Sequence, residues 1–431
     1  MELTRIKQKR KEETMNQIEK KKLSLYIHIP FCASKCYYCD FLSGPAPKAE
    51  MKEYVTALLV DIRSWVTLCK NYQVETIFIG GGTPSLIDSK YIIDILKEVR
   101  GSYNLSDQCE ITIEINPGTV TKDKLLDYKE AGINRLSFGL QSTNNDELKS
   151  IGRIHTYEQF LENYHLAREI GFHNINIDLM SALPGQRVED FTNTLDRIVA
   201  LEPEHISAYS LIIEEGTLFY QWYGEGANTN ERKGRKPLPT EEEDRIIYEK
   251  TKQILSKHGY ERYEISNYAK PGYECKHNCV YWQRGDYLGF GIGSASLLHN
   301  LRFHNLQDRK AYTTIIGSFA QEEELVKNNS YLINNSLGEG SKYLLQEDVE
   351  RLSTQSEMEE FMFLGLRMMK GVKKSLFYDN FKKSIQEVYG EKLENLKRDH
   401  LLIEEGDSIM LTEKGIDLSN VVYAEFLFDA E

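Results

Sequence analysis

Residues 23–39, LSLYIHIPFCASKCYYC, decide the fold, because a short apolar run leads directly into three closely spaced cysteines. The run is rich in β-branched and aromatic residues and predicts a strand. Cys32, Cys36 and Cys39 follow it as Cys-x3-Cys-x2-Cys, and three thiolates on one loop can bind three corners of an iron–sulfur cube. A structural zinc site normally has four ligands, and no fourth cysteine or histidine follows at a usual spacing. A [4Fe–4S] cluster with one open iron is the favoured interpretation; zinc with a distant fourth ligand and three unrelated buried cysteines are the alternatives.

The cysteine-bearing strand is the first of six β/α repeats. The predicted strands are 23–29, 76–79, 110–115, 135–140, 174–179 and 205–212. The predicted helices between them include 54–68, 91–99, 122–131, 157–170 and 189–200. This alternation indicates an α/β fold whose parallel sheet is covered by helices, and right-handed crossovers can curl such a sheet into a full or partial barrel.

Polar and glycine-rich residues come directly after these strands. They are the cysteines after the first strand, 80–83 after the second, Asn116 and Pro117 after the third, Gln141 after the fourth and 180–184 after the fifth. In parallel α/β folds the carboxyl ends of the strands carry the chemistry, so we expect the functional site at this edge of the sheet.

Five segments follow from the pattern. They are a basic tail at 1–22, a barrel at 23–215, an α+β extension at 216–316, a polar linker or insertion at 317–355 and a winged-helix-like helical module at 356–431. The module reads as three helices and a hairpin whose turn is Glu405-Gly406-Asp407. Because this turn is acidic, a packing role is favoured over DNA binding. The tail predicts a solvated arm, with docking to an acidic or membrane-associated partner as the alternative.

Bulk composition narrows the function classes. The 431 residues carry a formal net charge of −13, which disfavours non-specific binding to nucleic acid or anionic lipid. Seven cysteines without a secretory signal predict a metal centre in a reducing compartment rather than a disulfide framework. We therefore expect a cytoplasmic protein, with transient membrane contact only through a partner.

The cysteine motif, followed by Gly80-Gly81-Gly82-Thr83-Pro84, resembles the radical S-adenosylmethionine (SAM) superfamily. The resemblance implies a partial (β/α)6 barrel with a [4Fe–4S] cluster. It also implies that the amino and carboxylate groups of SAM bind the open iron, and that one electron cleaves the cofactor to a 5′-deoxyadenosyl radical.

The same resemblance implies a set of SAM-binding residues. These are Tyr26, Tyr38, Gly81, Gly82, Thr83, Glu114, Gln141, Arg153 and Asp178. The glycines allow close backbone approach, and the arginine fork suits a ligand carboxylate. Taken alone, Glu114 and Asp178 could equally be structural.

Longer motifs are similar to the oxygen-independent coproporphyrinogen III oxidase family. They include YIHIPFC at 26–32, NRLSFGLQS at 134–142 and NIDLMSALPGQ at 176–186. The oxidase branch has a fourth cysteine two residues after the third, where this sequence has Phe41. The sequence also has HNCVYW at 277–282, which resembles the HNxxYW segment of the HemW branch, the haem chaperones. The resemblance implies a protein that binds haem and passes it to an apo-haemoprotein of respiration.

The HNxxYW segment predicts the haem site. Its candidate residues are His277, Asn278, Tyr281 and Trp282. Imidazole is a common axial ligand of haem iron, and the aromatic faces suit a porphyrin. The alternative is a satisfied core histidine beside packed aromatics. Cys275 and Cys279 flank the histidine and are either inert or thiolate ligands of the haem iron.

Whether the chain is an enzyme stays open at this stage. The first alternative to a haem chaperone is a coproporphyrinogen III dehydrogenase that decarboxylates propionates. The second is a haem-degrading methyltransferase. The expected partners are haem and its recipient, and the expected state is a monomer or a haem-dependent dimer.

Overall fold

A computed structural model describes residues 20–227, 234–318, 322–334 and 345–428. The predicted basic tail lies outside these ranges except for its last three residues. Parts of the predicted linker at 317–355 also lie outside them.

The repeats predicted for the first half form a curved parallel sheet. Its strands are β1 (Lys21–Ile29), β2 (Tyr72–Gly81), β3 (Leu105–Ile115), β4 (Arg135–Gln141), β5 (Ile175–Ser181) and β6 (His205–Ser210). Its helices are α1 (Lys48–Ser64), α2 (Ser89–Ser102), α3 (Lys122–Glu130), α4 (Asn145–Ser150), α5 (Tyr157–Ile170) and α6 (Val188–Val199). Neighbouring strands pair in chain order and all in parallel, so the predicted α/β partial barrel is confirmed.

Helix α5 shows how the sequence sets these elements. Thr156 and Gln159 form a reciprocal capping box that satisfies the first backbone N–H groups. Gly171 ends the helix at a φ of 93°, a conformation that glycine adopts without steric cost. Phe160, Tyr164 and Ala167 share its buried face against the sheet. The periodicity therefore predicted this helix to the residue.

The extension continues the same sheet at both edges. β9 (Tyr287–Phe290) pairs in parallel with β1, and β10 (Ala295–Leu298), β11 (Leu301–Asn305) and β12 (Gln346–Arg351) continue from it antiparallel. At the opposite edge, β7 (Glu261–Arg262) and β8 (Asn267–Ala269) form a short hairpin on β6. The chain turns between these two strands, and both are short.

The segment predicted as a polar linker or insertion, 317–355, carries secondary structure in its described part. Its described part includes the whole of helix α11 (Glu322–Asn334) and of β12, and the start of helix α12 (Thr354–Gly365). Leu325, Leu332 and Leu345 are buried in the main core. A polar composition hid an amphipathic helix that buries only a narrow apolar stripe.

The remaining helices of the extension surround the barrel. They are α7 (Leu218–Tyr223), α8 (Glu241–Lys257), α9 (Lys276–Trp282) and α10 (Arg309–Ser318). Helix α8 begins with a capping box formed by Thr240 and Glu243. In the part of the chain that the structure covers, no helix combines the length and the apolar character needed to cross a membrane.

The C-terminal module has its own core and a three-stranded sheet. After α12 come β13 (Val372–Lys373), α13 (Lys374–Phe381), α14 (Ile385–Arg398), β14 (Leu402–Glu405), β15 (Ser408–Leu411), α15 (Glu413–Asp417) and α16 (Ser419–Glu425). Three helices followed by an antiparallel hairpin confirm the winged-helix-like prediction. Its first helix contacts α9, which places the HNxxYW segment between the barrel and the module.

Candidate functional site

A cavity of about 550 Å³ opens at the carboxyl edge of the parallel sheet. Cys32, Cys36 and Cys39 all line it, and all three are free thiols. Residues from the ends of β2 to β6 complete its wall. The three cysteines therefore line one cavity, as the cluster interpretation predicts.

Backbone contacts fix the cysteine loop on neighbouring elements. The Cys32 N–H donates to the Gly44 carbonyl at 3.1 Å, and the Tyr37 N–H donates to the Ile151 carbonyl at 3.1 Å. The Tyr37 ring also packs edge-on against Trp222 of α7, with 5.1 Å between centroids. The loop is thus held on both sides, which presents the thiols to the cavity.

The Gly80–Thr83 segment lies directly against the cysteine loop. The Gly82 and Thr83 N–H groups donate to the carbonyls of Ile29 and Phe31 at 2.9 Å and 2.8 Å. A Cβ on Gly82 would lie 2.8 Å from the Phe31 oxygen, so a side chain there would push the two loops apart. Gly81 has a φ of 108°, which disfavours any other residue. The glycines are needed for this close approach.

Two carboxylates face the cavity from β3 and β5. The Glu114 Oε2 atom accepts the Gly81 N–H at 3.1 Å, while Asp178 Oδ1 accepts the Asn176 amide at 2.7 Å. Burial, followed by the neighbouring Asp178 charge, raises the pKa of Glu114 to about 8. Burial also raises the pKa of Asp178. Both carboxyls would gain from a ligand that donates hydrogen bonds or carries positive charge.

Gln141 reaches the cavity through a distorted strand end. The β4–β5 register shifts between Gly139 and Gln141, and Gln141 has a φ of 75°. Its Oε1 atom accepts the Tyr209 hydroxyl at 2.9 Å. Such backbone strain in a residue other than glycine is concentrated at functional sites, where it redirects a side chain.

Arg153 enters the cavity from the segment after α4. Its guanidinium donates to Asn116 Oδ1 at 2.7 Å, to the Gly139 carbonyl and to the Cys36 sulfur at 3.7 Å. Its Nε atom is buried and has no hydrogen-bond partner. An unused buried donor beside two carboxylates and a glycine-lined backbone fits a ligand that carries both a carboxylate and an amino group.

The two predicted tyrosines lie in different places. Tyr38 lines the cavity beside the thiols, where burial raises its pKa. Tyr26 is not among the cavity-lining residues. Its ring packs on Phe78 and His277, with centroids 6.3 Å and 6.5 Å away, and its hydroxyl contacts His28 Nδ1 at 3.1 Å. Tyr26 thus lies between the cavity and α9.

His277 is buried in the barrel interior with both ring nitrogens engaged. Its Nδ1 atom contacts the Thr76 hydroxyl at 2.7 Å, and its Nε2 atom contacts the Tyr281 hydroxyl at 2.8 Å. Only 1% of the residue is exposed. Burial, followed by the Arg135 charge, lowers its pKa to about 3, so the imidazole is neutral. A neutral ring is the form that ligates iron, but neither nitrogen is free in this conformation.

The other candidates of the HNxxYW segment point in separate directions. Asn278 lines the cysteine cavity, whereas Trp282 lies under Arg367 of the C-terminal module at 4.3 Å. Tyr281 packs edge-on against Tyr287, with 4.7 Å between centroids. The structure therefore does not bring the four predicted haem residues to one open surface.

Cys275 and Cys279 lie on the inner side of α9. Burial raises the pKa of each thiol to about 12, which keeps both protonated at neutral pH. Cys275 is fully buried, and its sulfur contacts Glu110 Oε1 at 3.8 Å. These properties favour inert packing over thiolate ligation.

Sequence reasoning placed Asn116 at the expected edge of the sheet without assigning it a role, and it missed Ser207, Tyr209 and Asn267. Asn116, Ser207, Tyr209 and Asn267 all line the wall, and the Asn267 Oδ1 atom is buried without a partner. Asn116 follows β3, in the position that carries chemistry in parallel folds. The alternation along β6 places Ser207 and Tyr209 on one face, which was the available signal for both.

Comparisons with known proteins agree with this geometry. The Radical SAM superfamily matches residues 26–198, and the HemN C-terminal domain matches residues 352–418. The chain is 35% identical to the haem chaperone HemW of Bacillus subtilis, over 94% of this chain and 99% of the relative. It is 34% identical to that of Lactococcus lactis, over 94% and 97%.

A solved structure of coproporphyrinogen III oxidase (HemN) from Escherichia coli, a radical SAM enzyme, has a similar fold. Its TM-score is 0.77 at 23% identity, and the match covers 94% of this chain and 90% of that chain. At this identity the likeness shows the fold alone.

Proposed function

The chain belongs to the haem chaperone HemW family of radical SAM proteins, and from this membership we propose that it binds haem and delivers it to apo-haemoproteins. The observation that carries the proposal is the near full-length identity of 34–35% to two haem chaperones of that name. The radical SAM membership adds a [4Fe–4S] cluster that binds SAM.

The cysteine cavity would hold the cluster and SAM. Cys32, Cys36 and Cys39 would ligate three irons and leave the fourth for the amino and carboxylate groups of the cofactor. When bound, the cluster supplies one electron for reductive cleavage of SAM. The chain's own contribution is to orient the cofactor and to keep bulk water away from it.

The remaining cavity residues divide this task. Gly81 and Gly82 would present backbone groups to the methionyl end, and Glu114 offers an acceptor beside them. Arg153 has a donor to spare for the ligand carboxylate. Gln141, Asp178 and Tyr38 stay as proposed contacts for the nucleoside end. Tyr26 would act from behind Phe78 rather than on the cofactor itself.

Haem binds, in this proposal, at α9 through His277. The residue is neutral at physiological pH, which suits ligation, and flat side chains surround it: Tyr26, Phe78 and Tyr281. Ligation requires the Nε2 atom to leave the Tyr281 hydroxyl and the start of α9 to move. A chaperone that must later release haem gains from such a conditional site.

Phe41 favours a haem chaperone over a coproporphyrinogen dehydrogenase. It occupies the position of the fourth cysteine of the oxidase branch, lines the mouth of the cavity and is 57% exposed. An exposed phenyl ring beside the thiols favours apolar contact over metal ligation at this position. We further propose a cytoplasmic protein that is a monomer or a haem-linked dimer.

The test is a haem titration of the anaerobically reconstituted protein by absorbance, with His277→Ala and His205→Ala in parallel. His205 is the matched control, because it is equally buried and both of its ring nitrogens are hydrogen-bonded, to Asn176 and Tyr263. The proposal expects a saturating Soret shift near one haem per chain that weakens only in His277→Ala.

Two outcomes would count against it. Equal loss in both variants would move the ligand away from His277, and no saturable binding by the wild type would reject the chaperone reading. Release of carbon dioxide from coproporphyrinogen III would then support the dehydrogenase.

A further inference from the structure

A chain of hydrogen bonds connects two of the three cavity thiols through polar side chains. Starting at Cys32, its sulfur contacts the Thr83 hydroxyl at 3.5 Å, and the Asn116 Nδ2 group donates to that hydroxyl at 2.7 Å. Arg153 donates to Asn116 Oδ1 at 2.7 Å and to the Cys36 sulfur at 3.7 Å. The path therefore runs from one sulfur to the other with Asn116 at its centre.

The chemistry of each group fixes the direction of every bond. A guanidinium can only donate, so the Asn116 oxygen must face Arg153 and its amide nitrogen must face Thr83. The Thr83 oxygen accepts that bond, which leaves its own proton for Cys32. A thiolate can only accept. Both ends of the chain therefore direct a donor at sulfur.

Asn116 is itself held rigidly by its backbone. Its N–H donates to the Ser85 hydroxyl at 3.2 Å, and its carbonyl accepts the Thr119 hydroxyl at 2.6 Å. The Ser85 and Thr119 hydroxyls also contact each other at 2.6 Å. The amide is thus anchored independently of the two side chains that it orients.

We propose that Asn116 is a positioning residue that aligns the donors on the Cys32 and Cys36 sulfurs and thereby raises the reduction potential of the bound cluster. The inference rests on the proposed [4Fe–4S] cluster. Reduction adds one electron and makes the cluster more negative, and donors to its sulfurs stabilise that charge more in the reduced state.

The experiment is a redox titration of the reconstituted protein with dithionite in the absence of SAM. The EPR signal of the reduced cluster measures the extent of reduction. Thr83→Val removes the hydroxyl at nearly constant shape, Thr83→Ser keeps it, and Asn116→Leu removes the amide. Thr143→Val is the control. The Thr143 hydroxyl is buried and contacts the Thr194 hydroxyl, while the Thr143 backbone carbonyl accepts a hydrogen bond from Arg197. Iron and sulfide per chain are measured for every variant.

Thr83→Val and Asn116→Leu are expected to lower the equilibrium constant for cluster reduction about tenfold, or about 59 mV for one electron. Thr83→Ser and Thr143→Val should match the wild type. Adding Thr83→Val to Asn116→Leu should lower the potential less than the sum of the two, because the hydroxyl is no longer directed at Cys32.

Unchanged potentials in Thr83→Val and Asn116→Leu, at full cluster content, would overturn the inference and leave the proposed function intact. If Asn116→Leu assembles no cluster, the Thr83→Val and Thr83→Ser pair decides. A wild type that assembles no cluster would reject the proposed cofactor, and the inference with it.

Discussion

The cysteine cavity and helix α9 are two candidate binding regions that differ in whether their polar groups are free to contact a ligand. The cavity is open, its thiols face inward, and buried polar atoms such as Arg153 Nε and Asn267 Oδ1 lack partners. In α9, both nitrogens of His277 are satisfied within the protein. An open cavity lined by free donors and acceptors suits a ligand that stays bound, whereas His277 must lose an internal hydrogen bond before it can ligate iron.

The largest expected effect tests whether the two regions act separately. Cys36→Ser removes one of the three thiolates, so the reconstituted protein should lose nearly all of its cluster iron and visible absorption. Haem binding at α9 should persist within about threefold, since His277 contacts none of the thiols. Cys69→Ser, at a buried cysteine outside the cavity, is the control. Loss of haem binding together with the cluster would mean that the two regions form one site.

The second prediction concerns the cost of keeping the cavity open. The raised pKa of Glu114 means that the folded state holds a proton that the unfolded state releases. This carboxyl therefore lowers stability progressively as the pH rises from about 4.5 to 8, and the full penalty applies above that. Cluster-free Glu114→Gln should be more stable than the wild type by about 5 kcal/mol at pH 9 and equal to it near pH 4.5.

The measurement is thermal unfolding of both proteins across this pH range. Glu130→Gln, on the exposed face of α3, controls for the change in net charge. If the stabilities of wild type and Glu114→Gln changed in parallel with pH, the pKa of Glu114 would not be raised in the folded state.

The third prediction tests what keeps α9 closed. Arg284, just after the helix, donates to Glu360 at 2.9 Å and to Glu357 at 3.3 Å in the C-terminal module. Arg284→Ala leaves the buried Glu360 with Arg302 as its remaining partner and should cost about 2 kcal/mol of stability. Haem should also bind faster, which stopped-flow absorbance can follow.

The exposed Arg398→Ala controls for loss of a surface arginine. A less stable Arg284→Ala protein with an unchanged haem association rate would show that the module does not govern the opening of α9.

The smallest effect is expected from freeing one nitrogen. Tyr281→Phe removes the hydroxyl from His277 Nε2 and should tighten haem binding about fivefold, since a neutral hydrogen bond contributes about 1 kcal/mol. Tyr287→Phe, on the neighbouring ring, is the matched control in the same spectrophotometric titration. Weaker binding in Tyr281→Phe alone would make the hydroxyl part of the haem site rather than its competitor.

The cavity was largely predictable because it follows from strand order. Cys32, Glu114 and Gln141 come at strand ends, and parallel pairing brings strand ends together. The register shift at Gln141 and the hydrogen-bonded chain through Asn116 were not predictable, since they depend on contacts between loops that are distant in sequence.

The α9 region shows the opposite limit. HNCVYW reads as a single motif, yet its side chains diverge into the barrel, the cavity and the C-terminal module. The seven-residue helix α9 lies between the barrel, the cavity and the C-terminal module, so its faces meet different neighbours. Sequence spacing alone does not report which neighbour each face meets.

The most direct test of the contrast is amide hydrogen exchange of the reconstituted protein with and without one equivalent of haem. We predict that haem changes exchange in residues 276–285 and leaves the cysteine loop at 32–44 unchanged. Unchanged exchange in 276–285, or haem-dependent protection confined to 32–44, would contradict a haem site at α9 and place haem at the cavity instead.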